Sequence, residues 1–137
     1  MAHLSTYFAN AIIDKMLRNQ SFTPPTTLYL ALFTAVTGLD DDNPTAEVSG
    51  GSYARVTCAL DAAATKLTAN TSVLDTAIAT ADWGTITHWA LVDHATNTTW
   101  GTNVHVLVYF ELDEEKLIET GDLLEIAAGG LDIILDT

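Results

Sequence analysis

The sequence predicts an all-β fold, a jelly-roll-like β-sandwich preceded by one N-terminal amphipathic helix. Three observations carry that reading. Residues 27–34 (TLYLALFT), 86–93 (ITHWALVD) and 104–112 (VHVLVYFEL) are short strand-length runs, the first with side chains alternating in period 2. Turn signals, among them Gly50-Gly51, Gly121-Asp122 and Gly129-Gly130, separate such runs at short intervals. Helical spacing is confined to the first twenty residues, so the strand–helix alternation of an α/β protein is missing.

Taken in order, the helix comes first. Tyr7, Phe8, Ala11, Ile12 and Met16 recur at three- and four-residue spacing, with Leu17 beside them, and Asn10, Asp14, Arg18 and Asn19 flank the stripe. Ser5 or Thr6 can cap its free N–H groups, and Pro24-Pro25 forbids its continuation. An apolar stripe on so short a helix needs a surface to bury against, in its own domain or in a neighbouring subunit. In 27–34 both faces are apolar, which predicts a central or covered strand. Residues 35–52, rich in Asp, Gly, Asn and Pro, form a connection longer than usual, the length of a functional or interface loop. Strands follow at 53–60, 86–93, 104–112, 123–127 and 131–135, with a turn at 94–97. Residues 61–77 read as irregular chain with a short strand. The division is an arm over 1–20 and a sandwich domain over 27–137.

Composition limits the function. The 137 residues carry 18 acids against 5 bases, a net charge of -13, which opposes binding to a phosphate backbone. No apolar run reaches the ~18 residues of a membrane span, and the first residues lack the pattern of a signal peptide. Neither nucleic acid nor membrane is an expected partner. Cys58 is the one cysteine, so no internal disulfide is possible. Charge is sparse, 17% of residues, and clustered: three acids stand at 40–42 and seven lie between 111 and 125 against Lys116. Strand cores are almost free of it, which leaves low-charge faces for burial against neighbours.

No motif carries catalysis. Asp40, Asp41, Asp42, Asn43 and Glu47 offer oxygen ligands for calcium, but Pro44 breaks an EF-hand spacing and a solvated loop is the better reading. His3, His88, His94 and His105 show no zinc-ligand spacing. Cys58 sits in an alternating strand with no base beside it in sequence, as a buried small hydrophobe does. There is no phosphate loop, dinucleotide fingerprint or nucleophile elbow. No cofactor and no enzyme activity are expected. Trp83, Trp89 and Trp100 stand within eighteen residues and suit a core, a buried interface or a sugar platform.

The segments LSTYFANAIIDKMLRN, LYLALFTA, EVSGGSYARV, ADWGTITHWALVD and GDLLEIAAGGLDIIL resemble, in this order, a family of small virion proteins of tailed bacteriophages. Its members are tail-fibre-like or capsid-associated. The polar stretch 94–105, HATNTTWGTNVH, departs from the family pattern, where a shorter hairpin is expected. The resemblance implies a structural role without catalysis. It implies in the first place a capsid cement protein on the outer shell, bridging subunits of the major capsid protein as a homodimer or homotrimer. Such a protein would pass through the host cytoplasm during assembly. A tail or tail-fibre component is the second reading, and a carbohydrate-binding module the third. The expected interface residues are Tyr7, Phe8, Ile12 and Met16 of the helix, Asp40, Asp41, Asp42 and Glu47 of the long loop, and Trp100.

Overall fold

The computed structural model describes residues 2–135. The elements are β1 (Ala2–Leu4), α1 (Thr6–Arg18), β2 (Leu28–Phe33), β3 (Val56–Cys58), β4 (Leu67–Ala69), β5 (Leu74–Asp75), β6 (Gly84–Val92), β7 (Val106–Ile118), β8 (Glu125–Ile126) and β9 (Asp132–Ile134). Five strands form one antiparallel sheet in the order β1-β7-β6-β2-β3. Two ribbons, β4-β9 and β5-β8, complete the β structure of the described residues.

The predicted mostly-β chain with one N-terminal helix is therefore present, but the jelly roll is not. A jelly roll needs two sheets of comparable size facing each other. Here one open sheet carries most of the pairing, and the second layer is two ribbons with two- and three-residue ladders. The reason is local. Between β3 and β6 the chain spends its backbone groups on turns and isolated bridges, such as Leu60 with Asn70 and Ala64 with Leu67. It never runs extended long enough to build a facing sheet.

The sheet is buried on both faces. On one, Leu30 and Leu32 of β2 meet Leu91 of β6 and Val108 and Phe110 of β7, together with Trp83, Leu124, Ile126 and Leu131 from outside the sheet. On the other, Ala31, Phe33, Ala90, Val92 and Val106 pack with Leu39 and Val104. The two-sided apolar run in β2 is the pattern of a strand covered on both sides, and β2 lies between β6 and β3. The register of β6 against β7 slips sharply: Ile86 faces Lys116 while His88 faces Glu111, so residues 112–115 stand opposite Thr87 alone. This broad bulge leaves residues 112–115, among them Asp113, Glu114 and Glu115, without partners of their own on β6.

Several expected strands are shorter than their apolar runs. Only Val56–Cys58 of 53–60 pairs as strand, because the Tyr53 hydroxyl turns inward to accept from the Leu32 N–H at 2.9 Å. The strand expected at 104–112 instead runs over Val106–Ile118. The short strand expected within 61–77 is two, β4 and β5. Strand β1, Ala2-His3-Leu4, is too short for its alternation to mark a strand in the sequence. It exists because β7 offers it a free edge, with His3 opposite Tyr109 and their rings stacked.

Candidate functional site

Two of the expected contact elements, the helix and the acidic loop, meet each other. Ser5 caps α1: its Oγ accepts from the Phe8 N–H at 3.1 Å, and its own N–H donates to Leu107 O. The Ser5 hydroxyl also donates to Val106 O, so the cap fastens the helix to β7. The first turn of α1 contains no acid. The loop supplies that charge. Asp40 O accepts from the Thr6 N–H at 2.9 Å, and an Asp40 carboxylate oxygen accepts from the Thr6 hydroxyl at 3.3 Å. A negative group beside the N-terminal end favours the helix.

Asp42 is the anchor of the loop. It is buried, with φ at +58°. One carboxylate oxygen accepts from the Val106 N–H at 2.6 Å and the other bonds His105 Nδ1. The His105 ring lies flat on Tyr7 of α1, centroids 3.8 Å apart and planes within 6°. Burial, Asp93 and Asp42 push the Tyr7 hydroxyl above its ordinary range, so it stays protonated. Gly38 closes the same loop with φ at +79°, and a Cβ there would lie 2.0 Å from Asn43 O. Asp40 and Asp41 remain exposed. Asp40 thus holds the helix start and Asp42 the loop, while Asp41 makes neither contact. Among the described residues no three His, Cys, Asp or Glu side chains are placed to hold one metal ion.

Glu47 and Trp100 are joined by a residue that sequence reasoning missed, Arg55. Its guanidinium makes paired bonds to Glu47 at 2.7 and 2.8 Å, donates to His94 O at 2.7 Å and lies 4.9 Å over the Trp100 ring. The Tyr53 hydroxyl donates to the same carboxylate. With the Arg55 side chain only 3% exposed, this is a buried pair whose geometry satisfies the charge. The signal for it was present: Arg55 is the one cation between Arg18 and Lys66. The polar stretch 94–105 is held by its own side chains. His94 Nδ1 accepts from the Thr96 and Asn97 N–H groups, and Asn97 Oδ1 from the Thr99 N–H.

The helix residues divide. Phe8 and Ile12 face an apolar cleft of about 310 Å3, shared with Leu4, Leu28 and Leu107. Met16, one turn further, is 73% exposed; Leu17 is 81% exposed and Ile13 is 50% exposed. No residue of α1 is fully buried. The indoles do not form one platform. Trp83 is buried and donates to Gly51 O at 2.9 Å, Trp100 lies under Arg55, and Trp89 meets Phe110 edge-on. The Trp89 Nε1–H is buried with no acceptor among the described residues.

Nucleophilic chemistry finds no support in this geometry. Cys58 is buried, and burial pushes its thiol up to about 11, far from the reactive thiolate. His88 bonds Thr87, and burial lowers its pKa despite Glu111 nearby. No helix among the described residues is long and apolar enough to cross a membrane.

Comparison with known proteins agrees with a structural role. No curated protein matches the chain. Residues 3–134 match the family described as podophage GP4 fiber I protein gp80, and the chain belongs to that family. That family is one of phage structural proteins.

Proposed function

With membership of that fibre-protein family as the premise, we propose that this chain is a structural subunit of the phage tail or tail fibre. The family match over residues 3–134 is the observation that carries the reading. The shell-cement role expected first from the sequence gives way to it, because the matched family is described by a fibre and not by a shell. The fold suits a scaffold. Both faces of the sheet are filled, the arm is fastened to the body by Ser5, Asp40 and Asp42, and the buried charges satisfy one another. Such a subunit works by presenting surfaces that hold their shape, not by turning over a substrate.

Gold labelling of an epitope-tagged chain in intact particles, imaged by electron microscopy, tests the location. Label on the tail or its fibres is the expected result. Label spread over the head surface would overturn the assignment and restore the cement reading.

A further inference from the structure

We propose that copies of this chain associate head to tail, the C-terminal half of α1 in one copy seating in an acid-rimmed cleft of the next. The contact is independent of whether the subunit sits on tail or head. Particle labelling and the association experiment below can therefore fail separately.

Two surfaces of the chain complement each other. The first is the end of α1. Ile13, Met16 and Leu17 are exposed there, and a helix whose apolar residues face water in this way is unpartnered. The same turns carry Lys15 and Arg18. These are two of the five cations of the chain, and within the first twenty residues they face a single acid, Asp14. Arg18 bonds Asp14 at 2.6 Å, but both are open to solvent, and an exposed pair of this kind is readily exchanged.

The second surface is a cleft of about 400 Å3 beside the bulge of β7. Trp89, Phe110, Leu124 and Leu131 provide apolar walls. Glu111, Asp113, Glu114, Glu125 and Asp132 provide the rim, where Lys116 is the one cation and reaches Glu114 at 3.5 Å. The rim carboxylates do not gather round a point, since no three acids, histidines or cysteines among the described residues are placed to share an ion. They are spread as a border that would meet separate cations on an apolar element. The wall also holds Trp89, whose Nε1–H is buried without an acceptor among the described residues.

The charge distribution selects the occupant. Apart from the arm, 17 acids stand against Arg55, Lys66 and Lys116, so two bodies repel each other wherever they meet face to face. The arm combines a net positive charge, Lys15 and Arg18 against Asp14, with exposed apolar residues on one helix. Among the described residues, an arm-to-cleft contact joins a helix end with two cations and exposed apolar side chains to a recess rimmed by five acids, so the chain supplies both halves of the match. Repeated in one direction, the contact closes a ring or extends a filament.

The test uses the full-length chain in sedimentation velocity and light scattering. The wild type is expected to form species above the monomer, weakened by added salt. Two surface variants should be folded by circular dichroism and monomeric: M16E/L17E, which spoils the arm, and E114K/E125K, which spoils the cleft. Each is expected to weaken association by at least about tenfold. Mixed together, they should form a one-to-one complex, because the first keeps an intact cleft and the second an intact arm. A wild type that stays monomeric at every concentration overturns the proposal. So does an E114K/E125K protein that associates as well as the wild type, since pairing of arm with arm would behave that way. Failure of the mixture to form the complex overturns it as well.

Discussion

At the scale of the residue, the sharpest features are polar groups enclosed by the fold. Asp42 accepts from the Val106 N–H and bonds His105, so Asp42→Ala would leave a buried backbone donor without its acceptor. Such an orphan costs about 1–3 kcal/mol. Thermal unfolding of Asp42→Ala should therefore begin several degrees lower, and an unchanged midpoint would show that water replaces the carboxylate. Asp41, which is exposed and not bonded to the helix, is the control: Asp41→Ala should melt as the wild type does. Cys58 gives a second prediction. Its thiol is buried and raised to about 11, so a thiol reagent at pH 8 should react with it slowly in the native protein and quickly in denaturant. Rapid native labelling would mean that β3 opens easily.

At the scale of the element, Asn70 decides whether the two ribbons stay together. Its Nδ2 donates to Ser72 O and Ala127 O, its Oδ1 accepts from the Leu131 N–H, and its backbone bonds Leu131 and Gly129. One buried amide thus connects the ends of β4 and β8 to the turn before β9. Asn70→Ala removes three side-chain bonds and strands the Leu131 N–H, a loss of about 2–4 kcal/mol from the usual worth of such bonds. Chemical denaturation should register it as a fall in midpoint at nearly constant slope. A small effect would show that the ribbons are held by Leu124, Ile126 and Leu131 alone. The sequence offered Asn70 only as part of the irregular chain over 61–77, because nothing local distinguishes a buried asparagine from a solvated one. The helix was legible, since its period and its capping candidates Ser5 and Thr6 are local; the structure chose Ser5. Its neighbour β1 was not, because three residues become a strand only when β7 presents an edge.

At the scale of the whole molecule, the charge of -13 opposes compactness. Raising the salt from about 0.01 M to about 1 M shortens the screening length from ~30 Å to ~3 Å. The melting temperature should rise over that range, and a flat or falling curve would mean that local pairs such as Arg55–Glu47 dominate over global repulsion. The same charge gives the molecule its polarity: a net positive arm at one place and an acidic bulge at another. That asymmetry is what the proposed head-to-tail contact uses.

The sequence by itself determined the class of the fold, the single helix, the absence of a catalytic motif and the uneven placement of charge. These depend on local period, capping and composition, which need no knowledge of distant partners. Only the tertiary structure decided that the sheet is open instead of a jelly roll. Only it decided that Asp42 is an anchor while Asp40 and Asp41 face water, and that Arg55 ties Glu47 to Trp100. It also placed the acids of β7 on a bulge beside an apolar recess. Each of these depends on which strand lies beside which, and long-range pairing is set by the mutual burial of segments far apart in the chain. The expected interface residues show the division well. Their types were legible, but whether each points into the body, as Phe8 and Ile12 do, or out of it, as Met16 does, was fixed by packing.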